Sequence, residues 1–254
     1  MTANKTPKTV LVLRACNNDM SSRDGIVWPS SGPVEAPDWE PTKECGNGLH
    51  GWLHGHGDGS VSDYWSDDCK WLVVKVKTRH LIDLDDKVKF KKGTVVFCGD
   101  RKSATDYIIA NDPLAATKPV IGAFVTTLCH GSSTSGDHGT STSGDYSISI
   151  SGDHGTSISG VCGTSSSGHY SASTSGDHGT STSGDYGTST SGDRGASTSG
   201  HAGKATSGED GAIIIKYYKN GRYHLKTGYI GEDGLEPNVA YKLDEKHNFI
   251  EVIA

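Results

Sequence analysis

The sequence predicts a mainly β fold: a β-solenoid (β-helix) of about five 16-residue coils, flanked by a small α+β domain and an all-β C-terminal cap. Three observations carry that expectation. A Ser-Gly pair recurs at every eighth residue from Ser135-Gly136 to Ser207-Gly208, ten times without a break. Within the octad Gly-Thr-Ser-Thr-Ser-Gly-Asp-x, the central Ser is kept at Ser141, Ser149, Ser157, Ser165, Ser173, Ser181, Ser189 and Ser197, with Ala205 the departure, while its neighbours accept Thr, Ile, Ala, Ser and Lys. β-rich apolar runs stand before and after the repeat. The corresponding boundaries are 1–130, 131–212 and 213–254.

The first segment contains the runs TVLVLRA (9–15), WLVVKVK (71–77) and TVVFCG (94–99), which read as strands because β-branched residues dominate them. RKSATDYIIAND (101–112) reads as a helix with Asp100 as its N-cap. In the repeat, one intolerant position between two permissive ones is strand alternation, with the intolerant Ser or Ala inward and Lys204 in solvent. The two Gly of each octad are expected to make corners, and the Asp to bond turn amides and tolerate a left-handed backbone. An octad is too short to close a coil, so two octads form one. Five coils at the ~4.8 Å strand spacing give a rod roughly 24 Å long. In the last segment, AIIIKYY, the Asn220-Gly221 turn and RYHLKTGYI form a hairpin, and a further pair is expected around GEDGLEPNVAYKL and NFIEVI.

The octad resembles the repeat of bacterial ice-nucleation proteins over residues 131–212. Ordering ice needs long regular rows of Thr. Here the outward pairs on one side are Thr140/Thr142, Thr156/Ile158, Ala172/Thr174, Thr188/Thr190 and Lys204/Thr206. On the other they are Ile148/Ile150, Thr164/Ser166, Thr180/Thr182 and Ala196/Thr198, so neither side keeps two full Thr pairs in succession. The segments LRACNNDMSSRDGIVWPSSGPVEAPDW, ECGNGLHGW and GYIGEDGLEPNVAYKL resemble an uncharacterised family of bacterial and phage proteins, which implies such a source.

The net charge of -6 is mild and unclustered, so neither nucleic acid nor a membrane surface is an expected partner. The apolar run near the N-terminus is too short for a signal peptide, and a cytoplasmic protein with free thiols is expected. Cys45, His50, His54 and His56 form the densest group of metal-ligand residue types. Zinc is the metal that donor set suits, although no Cys-x-x-Cys anchor is present and no cofactor is required by the pattern. Arg14, at the end of an early strand, and His50, in a Gly-rich turn, resemble the pair expected in an ADP-ribosyltransferase-like fold. That resemblance implies nucleotide binding, Arg14 holding a pyrophosphate and His50 a ribose hydroxyl. Trp28 and Trp39, each beside a Pro-bounded loop, are the aromatic candidates for lining a ligand pocket. Ile148, Ile150 and Ile158 replace outward Thr and point to assembly, through a homo-oligomer or a protein partner.

The leading functional expectation is a non-enzymatic, self-associating scaffold or binding protein. An enzyme in the first domain, with the solenoid as stalk, and an ice-binding protein are the alternatives.

Overall fold

The computed structural model describes residues 8–253. The chain divides into two compact units that meet in sequence at Ala123/Phe124.

In the first unit the strands are β1 (Thr9–Cys16), β2 (Gly32–Glu35), β3 (Leu49–Leu53), β4 (Lys70–Lys77), β5 (Leu81–Asp83), β6 (Val88–Phe90) and β7 (Lys92–Gly99). They make one antiparallel sheet in the order β2-β7-β4-β1-β3-β6-β5. One face buries Val12, Leu72, Val74, Val76, Phe90 and Val95 beside Trp28 and Val34. The other carries Leu13, Val73 and Trp71, all at most 1% exposed. The helix α1 (Arg101–Asn111) covers that face, with Tyr107 stacked on Phe97, centroids 4.8 Å apart. Asp100 caps the helix as expected, its carboxylate accepting from the Ser103 amide at 2.8 Å. The strands β2, β3, β5 and β6 lie outside the sequence expectation; their short, Gly- or charge-interrupted sequences lack the apolar run that marks β1, β4 and β7.

The second unit opens with strands that alternate between two parallel sheets. In chain order they are β8 (Phe124–Thr127), β9 (Ser132–Thr134), β10 (Thr140–Ser143), β11 (Ile148–Ile150), β12 (Thr156–Ile158), β13 (Thr164–Ser166), β14 (Ala172–Thr174), β15 (Thr180–Thr182), β16 (Thr188–Thr190), β17 (Ala196–Ser199), β18 (Lys204–Thr206) and β19 (Ala212–Lys219). Even-numbered strands stack on one side and odd-numbered on the other, each residue paired with the one 16 positions on, as Thr140 with Thr156 and Ile148 with Thr164. Each side therefore holds six coils, not five. The extra strands are β8 on one side, which stacks on β10 in full register although Phe124 and Val125 stand outside the octad pattern, and β19 on the other, which stacks on β17.

The inward Ser residues make the core. Ser141, Ser149, Ser157, Ser165, Ser181 and Ser189 are fully buried, and each hydroxyl reaches across to the residue eight positions earlier. The Ser149 hydroxyl donates to the Ser141 carbonyl at 2.7 Å, and Ser157 to that of Ser149 at 2.6 Å. A hydroxyl zipper between two sheets thus takes the place of an apolar core; it skips Ser173, whose buried hydroxyl, like those of the Ser-Gly serines Ser159 and Ser175, has no partner among the described residues. Lys204 is exposed, as its register requires.

The corners differ from the expectation in an informative way. The left-handed residue of each octad is neither the Gly nor the residue at the Asp position but the variable one after it: His138, Tyr146, His154, Cys162, Tyr170, His178, Tyr186, Arg194, Ala202 and Asp210, with φ from 52° to 59°. The Gly of Ser-Gly is required by close approach instead. A Cβ on Gly184 would lie 2.8 Å from the carbonyl carbon and oxygen of Gly168, one coil below. Asp bonds an amide as expected, and the amide is the one 16 residues on. Asp153 accepts from His169 N at 2.7 Å and Asp193 from Glu209 N at 2.8 Å.

The last coil closes the column. Ile213 and Ile215 replace inward Ser, stacking on Ser197 and Ser199, and pack with Ala205, Ile230, Leu235 and Tyr241. β19 runs on past the column through the Asn220-Gly221 turn into β20 (Arg222–Tyr229), and β21 (Tyr241–Leu243) with β22 (Phe249–Glu251) extends the other sheet beyond β18.

Candidate ligand-binding site

The first unit holds a cavity of ≈ 210 Å³ where β1 and β3 part company. These strands pair at Val12/Leu53 and Leu13/Trp52; β1 then continues beside β4 alone, while His50 and Gly51 pair with β6. Arg14 bridges the opening, its Nη1 donating to the His50 carbonyl at 3.3 Å. Its guanidinium lies between two rings, 5.3 Å from the Trp28 centroid and 5.5 Å from that of Tyr64. Trp28 is fixed by its own Nε1–H, which donates to the Ser22 hydroxyl at 3.1 Å.

The electrostatics of the cavity are positive. Arg14, Arg23 and Lys87 line it, and among the described lining residues Asp63 is the one carboxylate. Asp63 forms an ion pair with Arg23. A further cation stands behind the wall: Lys89 is fully buried, and its Nζ donates to the Glu44 carbonyl at 2.8 Å and the Thr42 hydroxyl at 3.3 Å. Burial pulls the Arg14 pKa below the ordinary arginine value, opposed by Tyr64 and Cys16. Burial, then Lys87, Arg14 and Lys89, push the His50 pKa down to about 4. His50 is therefore neutral at pH 7, and among the described residues its buried Nε2 and the Nε of Arg14 have no hydrogen-bond partner.

The depressed His50 pKa has a direct consequence for stability. The unfolded chain takes up a proton near pH 6.5 that the folded one refuses until about pH 4. The associated stability is complete above pH 6.5 and is lost as pH falls toward 4. His50→Gln should flatten that limb: wild type and variant unfolding free energies, measured by denaturant titration, should converge as pH falls from 6.5 to 4. Parallel curves across this window would contradict it.

The sequence candidates sort cleanly. Arg14, His50, Trp28 and Cys45 line this cavity, whereas Trp39 turns away from it and packs over the Lys89 ammonium, 5.9 Å from its ring centroid. The Cys45–His50–His54–His56 group does not converge. His54 Nδ1 sits 2.6 Å from an Asp112 carboxylate oxygen and His56 Nε2 donates to the Ala115 carbonyl at 3.0 Å, while Cys45 and His50 face the cavity. Among the described residues no three His, Cys, Asp or Glu side chains are placed to share a metal ion. The chain leaves β3 in a turn at His54, so spacing in sequence does not become proximity. Tyr64 and Lys87 were missed, since nothing local marks a lone Tyr in a loop or a lone Lys in the β5–β6 turn as part of a pocket.

On the solenoid, Ile148 and Ile150 are 48% and 41% exposed and Ile158 38%. They are not one patch: Ile148 and Ile150 lie on β11, Ile158 on β12 in the opposite sheet. The variable corner residues, unconstrained to the eye, form ring ladders. His138, His154, Tyr170 and Tyr186 stack at centroid spacings of 4.8, 5.2 and 4.8 Å, within 7° of parallel. Their 16-residue spacing was the signal available for finding them.

Residues 10–107 match the model of a domain of unknown function, DUF7666. The chain is also similar to an ice nucleation protein of Xanthomonas campestris pv. translucens, 40% identical over 107 residues, 41% of this chain and 7% of that protein. The ice nucleation protein of Pseudomonas fluorescens is 45% identical over 104 residues, 40% of this chain and 8% of the relative. That of Pseudomonas syringae pv. syringae is 36% identical over 122 residues, 46% of this chain and 10% of the relative. The chain thus covers a tenth or less of the length of these relatives. No solved structure matches.

Proposed function

We propose that this protein is a non-enzymatic repeat scaffold that self-associates through one face of its solenoid and carries residues 8–123 as a recognition domain. The observation that supports it is the pair Ile148 and Ile150, uncovered on a sheet whose outward neighbours one coil away, Ser132/Thr134 and Thr164/Ser166, are small and hydroxylated. Tyr146, in the corner just before β11, is 61% exposed and extends the apolar strip. Apolar side chains grouped on an otherwise polar face mark a contact surface. A second copy of the chain presents the same strip, and a two-fold arrangement of like patches is the commonest way such a strip is buried.

Ile148→Thr with Ile150→Thr, which restores the outward residues of the octad, is the test. Sedimentation velocity should show an oligomer for the wild type and a monomer for the double variant, with unchanged far-UV circular dichroism. A wild type that stays monomeric at every concentration sinks the proposal.

A second reading, ice-nucleation-like activity, draws on the name borne by the relatives and on the outward hydroxyls. The stacking counts against it. On the even-numbered sheet the complete pairs Thr140/Thr142 and Thr188/Thr190 are separated by the coils that carry Ile158 and Ala172, and Lys204 follows. Droplet freezing on the same two samples separates the readings: freezing onset at the buffer value supports the scaffold, and a raised onset supports the alternative.

A further inference from the structure

We propose that the cavity between the parted ends of β1 and β3 is a binding site for a small planar oxyanion, a carboxylate or phosphate carried on a flat ring, with Arg14 as its counter-charge. The inference names the ligand class of the recognition domain proposed above and rests on that reading; it does not depend on the solenoid associating.

Charge supplies the first part of the argument. Arg14 and Lys87 face the cavity, and its one lining carboxylate among the described residues, Asp63, is already engaged by Arg23. Lys89 adds a buried positive charge whose partners, the Glu44 carbonyl and the Thr42 hydroxyl, are neutral. Arg14 and Lys87 are half-buried and Lys89 is fully buried behind them, so their charges are only partly solvated and attract an oxyanion into the cavity.

Donor geometry supplies the second. Among the described residues the Arg14 guanidinium donates one long bond, 3.3 Å to the His50 carbonyl, and its Nε has no partner. A guanidinium matches the two oxygens of a carboxylate or phosphate with parallel donors. His50, neutral, has its ring proton engaged by the Gly48 backbone, so its Nε2, without a partner among the described residues, presents a lone pair that suits a hydroxyl or N–H beside the acidic group.

Shape supplies the third. Trp28 and Tyr64 flank the guanidinium, and Trp52 forms part of the wall. Flat rings bind flat rings. The volume of ≈ 210 Å³ is below the ~300 Å³ at which pockets for drug-sized molecules begin, so the ligand is a single ring with its acidic group.

Isothermal titration of the full chain with benzoate, phenyl phosphate, inorganic phosphate and benzamide tests this. Saturable binding of benzoate or phenyl phosphate is expected, with benzamide, the neutral isostere of benzoate, at least tenfold weaker. The tighter of the two anions identifies the acidic group. Inorganic phosphate should bind more weakly than phenyl phosphate; equal affinity would overturn the planar requirement. Arg14→Met should abolish the heat. If that variant does not fold, Lys87→Met, at the rim, should weaken binding severalfold and reduce its salt dependence. No saturable heat with any anion on a folded sample, or benzamide as tight as benzoate, would overturn the proposal. Sedimentation of that same sample reports self-association separately, so loss of one result leaves the other standing.

Discussion

Gly184→Ala is expected to destabilise the solenoid by ~3 kcal/mol, at the upper end of what a single overpacked site costs. The Cβ would meet the carbonyl carbon and oxygen of Gly168 at 2.8 Å and the His169 amide nitrogen at 2.9 Å. All three are backbone atoms of the coil below, so no side chain can swing aside, and relief requires the two coils to separate. The amide of Gly184 bonds the Gly168 carbonyl at 2.9 Å, and separation would lengthen that bond too. Two controls isolate the cause. Gly221→Ala, in the terminal hairpin, faces open space at φ +80°, so it should lose about 1–2 kcal/mol from left-handed strain alone. Tyr186→Gly should be close to neutral. It relieves a left-handed non-Gly residue at φ 59° and forfeits the stacking on Tyr170, worth ~0.5–1.5 kcal/mol. Calorimetric unfolding would rank the three. A Gly184→Ala protein that melts with the wild type would mean the coils are not in the contact described.

Gly184 and Tyr186 also mark the boundary between what the sequence discloses and what it withholds. The spacing of Ser-Gly pairs carries the coil length, and the intolerance at Ser141 and its equivalents carries the side that faces inward, because both are direct steric demands repeated along the column. The reason for the Gly was not legible. A regular spacing of Gly is compatible with a left-handed turn or with close approach, and only the folded coil puts the left-handed φ on Tyr186 and the contact on Gly184. β8 was missed for the opposite reason: Phe124 and Val125 obey no octad, yet the end of the stack offers a free edge that they pair with in register. At the cavity, Arg14 and His50 could be paired from their neighbourhoods. The contribution of Tyr64 depends on the path of the loop before β4, and that of Lys87 on where the short β5–β6 turn lands beside β3, which no local pattern encodes. The His54 and His56 spacing misled because the turn after β3 sends those side chains to Asp112 and Ala115.

Deleting residues 159–174 should leave a folded, cooperative solenoid one coil shorter, whereas deleting twelve residues, 163–174, should abolish cooperative unfolding of this unit. The 16-residue deletion joins Ile158 to Ser175, so β12 meets β16 with Thr156 opposite Thr188 and Ser157 opposite Ser189, the same phase in which each now pairs with β14. Asp145 loses its bond to the Val161 amide and finds the Asp177 amide in the same place. The twelve-residue deletion joins Cys162 to Ser175, and the next strand arrives four residues out of phase. Ser-Gly corners then fall opposite strands, inward Ser fall opposite corner residues, and the coil beyond the cut brings a Cβ to positions where its neighbour admits only hydrogen. An eight-residue deletion, 175–182, is the sharper case. The hydroxyl zipper links residues eight apart, so the two halves of a coil are equivalent inside, and the column should still fold. Its outside is not equivalent. Beyond the cut every outward residue changes sheets, which moves Lys204 onto the face that carries Ile148 and Ile150. Circular dichroism melts should therefore place the 16- and eight-residue deletions together and the twelve-residue deletion apart. A graded loss with length alone, indifferent to phase, would mean that the octads do not stack as coils.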